Sequence, residues 1–254
     1  MYFTKPEDYG LLESGPTMNY WIWVPTVLFL ASMAVSVLSQ WFSYLWPAVE
    51  YKKQFKNKTT HYVLLSYAVN HFLSALLTTF TIAYARYYGS CYESNIFEMS
   101  FLEMSKYIIT VLWCVAQQVL IYDFLIYVFH RSCHVNKWMY IHIHKWHHEN
   151  NTPRGICDGI YGDAFEGTLV AYFAVGQMMF FSLPVSSICL FLLYISFFVQ
   201  LNHSGRKVKI PYFYSFKAHA VHHRHFKYNF SEHIPLWDYL FGTLRLSEIS
   251  DDQF

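Results

Sequence analysis

Three short runs hold eight of the chain's 14 histidines: HRSCH at 130–134, HKWHH at 144–148 and HAVHH at 219–223. In the first, His130 and His134 stand at i and i+4. In the other two, His144, His147 and His148, then His219, His222 and His223, stand at i, i+3 and i+4. Residues three and four apart are neighbours on a helix surface, so each run is expected to aim its imidazoles one way. Imidazole is a ligand for zinc, copper, iron and nickel. Eight aligned imidazoles exceed the needs of one ion, and two metals sharing the set is the simplest arithmetic. A pH-sensing patch and a structural or transport zinc site are the competing readings.

His203, in LNHSG at the end of an apolar stretch, can reach the same layer and reads as a further ligand. His142, His225 and His233 stay open between ligand, supporting group and bystander, and the lone His61 and His71 read as packed core residues. Asp123 precedes His130 by seven residues, close to two helical turns, and shares its face. A carboxylate inside an apolar span is costly and usually functional. Its expected catalytic role is to accept the outer N–H of a ligand histidine or to shape the supply of protons.

The elements that must position these residues are unlike those of a soluble domain. Hydrophobic residues make up 54% of the 254, aromatics 21% and charged residues 14%, against roughly one-quarter charged in an ordinary soluble domain. The net charge of +1 gives no reason to expect nucleic acid as a partner. The five cysteines are odd in number and none forms C-x-x-C, so they read as buried thiols.

No charged residue lies between Met18 and Val49, and that stretch reads as a signal-anchor span. A second span is expected over 61–85 and a third over 107–129, with Asp123 its one charge. The uncharged stretch from Gly167 to His203 has Pro184 near its centre and reads as a helical hairpin that enters and leaves on one side. Lys52, Lys53, Lys56 and Lys58 place the first connection in the cytosol by the positive-inside rule. Span parity then gathers every histidine run on the cytosolic face. The expected fold is all-α: an integral membrane helical bundle of about four spans, plus or including the hairpin, under a histidine-rich two-metal cap. Residues 1–129 carry the first three spans, and 130–254 the catalytic region with the hairpin over 167–203.

Nitrogen ligands at a membrane point to chemistry on a lipophilic substrate. Zinc hydrolysis would bring a general-base carboxylate among the ligands, as in H-E-x-x-H, and the sequence has none. Ligand type does not separate iron from zinc. The lipid setting favours iron with dioxygen, because an unactivated C–H bond needs a redox metal.

The three runs resemble the histidine boxes of the fatty acid hydroxylase superfamily, which includes sterol desaturases. The resemblance covers about residues 122–246. Box one corresponds to His130 and His134, with Asp123 at an acidic position upstream; box two to His144, His147 and His148; box three to His219, His222 and His223. HSG with His203, NF at Asn229 and Phe230, and LWDYLFGTL with Trp237, Asp238 and Gly242 match further family features. The HHRHFKYNF and WDYLFGTLRL stretches look most like the cholesterol 25-hydroxylase branch. Where sterol C4-methyl oxidases carry histidine–proline, this chain has Asp163 and Ala164.

The resemblance implies an O2-dependent lipid monooxygenase of the endoplasmic reticulum membrane. It implies two iron ions on the nine histidines, a sterol or fatty acyl substrate, and electrons from NAD(P)H through a separate reductase or cytochrome b5. No G-x-G-x-x-G is present for the chain to bind the nucleotide itself. A C4-methyl oxidase, a lipid desaturase and a fatty acid hydroxylase would use the same boxes. A zinc-binding membrane protein is the alternative of another class.

Overall fold

A computed structural model describes residues 18–48, 60–88, 91–92, 94–149, 155–214 and 216–245. The lysine-rich connection at 52–58 lies outside the described residues. Eight α-helices occur among them: α1 (Met18–Ser43), α2 (Thr60–Tyr87), α3 (Phe101–Val135), α4 (Lys137–Met139), α5 (Ala164–Val175), α6 (Val185–Asn202), α7 (Phe216–His225) and α8 (Leu236–Leu240). The only strands among the described residues are β1 (Cys91–Tyr92) and β2 (Leu183–Pro184), paired in parallel. The fold is an all-α membrane bundle, and α1, α2, α3 and α6 are long and apolar enough to cross a bilayer. Their outer faces expose Trp23, Leu65, Phe80, Ile109 and Trp113, side chains suited to lipid and costly in water.

α3 starts at a capping box. Ser100 Oγ accepts from the Glu103 N–H, and the Glu103 carboxylate accepts from the Ser100 N–H. Its 35 residues run about 52 Å, well beyond the roughly 30 Å of hydrocarbon. The excess carries His130 and His134 past the third span without a break, so the 129/130 boundary read from sequence falls inside a continuous helix.

The hairpin expected over 167–203 is present, with unequal arms. α5 has 12 residues, about 18 Å, and turns back before it could cross. α6 has 18 residues and is the hairpin's one spanning arm. Pro184 does end the first arm's direction: it caps α6, and β2 pairs with β1 beside it. α1 packs on α6 through small residues, with Ser36, Ser39 and Ser43 fully buried and Ser39 Oγ donating to the Phe197 carbonyl at 2.8 Å. The C-terminal ends of α1, α3 and α6 and the N-terminal ends of α2 and α5 therefore meet at one end, the histidine end, as span parity requires.

α2 and α5 meet closely at that end. Ser66 Oγ donates to the Gly162 carbonyl at 2.9 Å and Asn70 Nδ2 to the Ile160 carbonyl at 3.0 Å. A methyl group at Gly167 would lie 2.5 Å from Asn70 Oδ1. Gly167→Val is therefore expected to push α5 off α2 and cost about 1–3 kcal/mol, the usual range for overpacking. Thermal unfolding in detergent checks it, and an unchanged midpoint would contradict the close approach.

Cys91, Cys114 and Cys133 are buried thiols, as expected. Cys157 is half-buried and Cys189 is exposed, so the expectation fails for those two; no disulfide occurs among the described residues.

Candidate metal centre

α3 delivers His130 and His134 on its last turns. The chain then turns through α4 into a wide turn, Tyr140–His144, in which the Lys145 N–H reaches the Tyr140 carbonyl at 2.8 Å. Such π turns often mark functional sites. His147 and His148 follow in a tight 3-10 turn. The HKWHH run is thus not a regular helix, and its three rings do not face one way. α7 carries the third run, and α6 ends at His203.

All nine expected histidines converge, in two groups. His130, His134, His144, His148 and His222 form one; His147, His203, His219 and His223 form the other. Within each, the nearest ring nitrogens lie within 4.8 Å of one another. The second and third runs each split between the groups, against the expectation that each aims one way. The reason in α7 is the 100° step between neighbours: His219 and His223 share a face, and His222 looks past it. The groups adjoin, with the His148 and His223 rings 4.6 Å apart.

The tautomers follow from the outer partners. Nδ1 of His130, His147, His203 and His222 lies 2.8, 3.1, 2.9 and 2.9 Å from the carbonyl oxygens of Phe230, Tyr161, Val199 and Tyr228. A carbonyl only accepts, so each Nδ1 carries the proton and each Nε2 a bare lone pair. His144 Nδ1 meets Glu166 Oε1 at 2.5 Å. The inner nitrogens crowd. His148 Nε2 lies 3.1, 2.9 and 3.2 Å from the Nε2 atoms of His134, His144 and His222. His219 Nε2 lies 2.8 Å from His203 Nε2 and 2.9 Å from His223 Nε2. One proton on His148 could satisfy one of its three neighbours. A cation answers all of them: ligands about 2.0–2.1 Å from a metal, at right or tetrahedral angles, stand about 2.8–3.4 Å apart. The residues present fit a pair of metal ions.

Burial holds the rings of His144, His148, His219, His222 and His223 well below the usual imidazole range, and neighbouring imidazoles add to it. His203 is pushed down to about 3 by burial and then by His147, and His233 to about 3 by burial alone. Below the ordinary value of 6.5, the unfolded chain therefore binds protons that the folded one refuses. Metal-free protein should be most stable above about pH 6.5 and lose stability down to about 3, by up to ~1.4 kcal/mol per pH unit for each such ring. Its unfolding temperature in detergent should be lower at about pH 5.5 than at about 7.5; equal values would contradict a neutral, buried cluster.

Asp123 is fully buried, but the hydrogen bonds it makes are not to a histidine ring. Its Oδ1 accepts the backbone N–H groups of Glu232 and His233 at 2.9 and 2.8 Å. It thus pins the segment whose Phe230 carbonyl holds His130, and the sequence expectation of a direct contact gives way to one through backbone. Asp238 pins the same segment, accepting from the N–H groups of Phe230 and Ser231 and from Tyr214 and Thr243. Phe226 and Asn229, both at positive φ, shape the turn leaving α7; Asn229 is held by the Ala218 and Arg245 carbonyls. Trp237 packs on Phe124, and Gly242, at φ +70, closes the turn after α8.

Of the three open histidines, His142 and His225 are exposed, and His142 lies over Trp138. His233 is buried between Tyr122 and Tyr194, outside both groups. His61 is exposed, against the expectation of a core residue.

Glu166 and Glu232 were not singled out from sequence. Glu166 is readable in retrospect as the charge that opens the long uncharged stretch. Glu232 accepts from the Tyr122 hydroxyl at 3.2 Å, and burial, then the Asp123 carboxylate, pushes it up to about 7. Both line a cavity of ≈ 430 Å³ bounded by α1, α2, α3, α5 and α6 and reaching His130, His147, His203 and His219. Its walls are mainly apolar, among them Leu28, Ile82, Ile126, Val175 and Leu192. Volume and lining suit a lipid-sized ligand.

The family model for fatty acid hydroxylase matches residues 115–243, just over half the chain, and takes in the groups described above. The chain belongs to that family. Its relatives include a cholesterol 25-hydroxylase-like protein of Danio rerio, 28% identical over 155 residues, covering 58% of this chain and 61% of the relative. The cholesterol 25-hydroxylase of Homo sapiens is 26% identical over 139 residues, covering 51% and 50%. A Delta(7)-sterol 5(6)-desaturase of Leptosphaeria maculans is 30% identical over 128 residues, covering 48% and 34%. The match spans less than two thirds of the length of each of these relatives. No solved structure matches the chain.

Proposed function

We propose that the chain is a membrane oxidoreductase that hydroxylates a sterol or related lipid with dioxygen. The observation that carries the reading is the double set of inward-facing imidazoles at one end of an apolar cavity. His130, His134, His144, His148 and His222 would hold one iron ion, and His147, His203, His219 and His223 the other. Bound there, the pair supplies the redox chemistry that an unactivated C–H bond demands. One oxygen atom enters the C–H bond, the other leaves as water, and the electrons of one NAD(P)H with matching protons balance the step. These electrons arrive through a separate reductase or cytochrome b5.

The chain's own work is positioning. The backbone carbonyls at Phe230, Tyr161, Val199 and Tyr228 keep protons on the outer nitrogens and lone pairs on the inner ones. The apolar walls admit a lipid and exclude water. Glu232 stands in the cavity wall, where the Tyr122 hydroxyl donates to its carboxylate and Asp123 holds its backbone N–H. The lysines at 52–58 favour a cytosolic histidine end, and the relatives' sterol chemistry an endoplasmic reticulum membrane.

Five imidazoles in one group weigh against the zinc-binding alternative, since structural zinc is almost always four-coordinate. A desaturase would use the same site, and the sterol desaturase among the relatives keeps that second reading in play. Expression in cells under oxygen-18, followed by lipid mass spectrometry, tests the proposal. A lipid product carrying one heavy oxygen is expected for a hydroxylase; a new double bond without label would favour the desaturase. Unchanged lipids with zinc in the purified protein would sink both.

A further inference from the structure

We infer that the substrate lipid enters the cavity sideways from the bilayer, between α1 and α6, through a mouth bordered by Ala31, Cys189 and Leu193. This rests on the lipid-oxidising reading above and adds the route by which a lipid reaches the site.

Most of the cavity's lining is buried or half-buried. The exposed exceptions among the described residues are Ala31 on α1 and Cys189 and Leu193 on α6. Each belongs to a stripe at helical spacing along the cavity: Leu28, Ala31 and Val35 on α1, and Cys189, Leu193 and Ser196 on α6. Side chains that line the cavity and are also exposed mark where it opens. Facing the interior does not by itself expose a side chain, since Ala75, Ile126 and Val175 line the same cavity and are buried.

The helix packing accounts for the opening. At the histidine end α1 lies on α6, where Ser39 Oγ donates to the Phe197 carbonyl and the rings of Phe42 and Phe197 stand 5.4 Å apart. At the far end α1 lies on α2 instead, with the Trp21 ring 4.8 Å from that of Phe80. α1 therefore slants, and it parts from α6 as the two leave the histidine end. Leu190, Leu193 and Phe197 share one face of α6, at i, i+3 and i+7. α1 covers Phe197 on that face, while Leu190 and Leu193 are exposed.

Ala31 precedes Ser39 by eight residues, and Cys189 precedes Phe197 by eight. Both helices run toward the histidine end, so Ala31 and Cys189 stand at one level, about 12 Å from the α1–α6 contact. That level lies within both spans. Ala31, Ser32, Cys189 and Ser196 are all small, so little side-chain bulk stands in the gap. A mouth placed there opens on hydrocarbon. A lipid that uses it keeps its apolar surface out of water, whereas a route through the histidine end would wet that surface.

Photolabelling reads the route without turnover. Full-length, iron-loaded protein in phospholipid nanodiscs is held without oxygen and exposed to a cholesterol diazirine or a fatty acid diazirine. Adducts are mapped by peptide mass spectrometry. Ile126 and Val175 are buried and line the cavity, so adducts there report a lipid inside it. The unmodified protein should be labelled at both. The pair Ala31→Trp with Leu193→Trp should lose that labelling and keep the iron content of the unmodified protein. Leu190→Trp, on the exposed face but outside the cavity lining, should keep both. Undiminished cavity labelling in the tryptophan pair overturns the inference and leaves the lipid-oxidising reading standing. No cavity adduct in the unmodified protein from either probe overturns both. If the tryptophan pair fails to hold iron, the folded protein is blocked instead with a bulky methanethiosulfonate at Cys189. Labelling should then stop, return with dithiothreitol, and be indifferent to the reagent in Cys189→Ala; continued labelling of the blocked protein overturns the inference.

Discussion

His148→Ala should abolish lipid oxidation while leaving a folded, membrane-inserted protein. His148 is the hub of the five-histidine group, with three inner nitrogens within 3.2 Å of its own. Its ring also lies against His223 of the other group. Loss of a group that merely supports a ligand typically costs 10–100-fold in metal affinity or activity. Loss of this ring should cost more, about 10³-fold or beyond, and Glu166→Ala should fall within the smaller range. A stability measurement separates the site from the fold. In metal-free protein, His148→Ala relieves crowded lone pairs, so the unfolding temperature should hold or rise. The rise in unfolding temperature on adding iron should shrink sharply. A variant that loses activity because it unfolds without metal would contradict this assignment, as would one that oxidises lipid at the normal rate.

The second large effect lies away from any ligand. Asp238 is fully buried and accepts from four donors: the N–H groups of Phe230 and Ser231, the Tyr214 hydroxyl and the Thr243 hydroxyl. Asp238→Ala leaves all of them without that acceptor. Removing one partner of a buried charged network costs about 3–5 kcal/mol, a large share of the 5–15 kcal/mol of an ordinary fold. Yield and unfolding temperature in detergent should both drop steeply. Any protein recovered should bind iron weakly, because the Phe230 carbonyl that orients His130 sits on the segment released. Asp238→Asn should fail almost as badly, since its amide NH₂ would face N–H donors. Normal stability in either variant would mean the segment is held by something else.

These two residues mark how far sequence could lead. His148 was legible because imidazoles at i, i+3 and i+4 are rare in a chain this apolar, and all nine histidines expected to converge do so. The partition was not legible. It depends on a π turn at 140–144 and on the angular step between His222 and His223, which a spacing rule treats as one face. Asp123 was found by its cost inside a span, but its partner was misassigned, because its hydrogen bonds run to backbone more than 100 residues away. The same limit hid the carbonyls of Tyr161, Val199, Phe230 and Tyr228, since a backbone oxygen has no sequence signature. The hairpin was legible from Pro184 and the lack of charge. Its unequal arms depend on where α5 meets α2, at Gly167 and Asn70.

Iron stoichiometry tests the two-metal assignment most directly. Protein purified without metal, reloaded anaerobically with ferrous iron and freed of excess should hold two iron ions per chain, one for each histidine group. His219→Ala, which removes a ligand from the four-histidine group alone, should then retain one. A single iron per chain in the unmodified protein, or two retained in His219→Ala, would contradict two adjacent centres built from these nine residues.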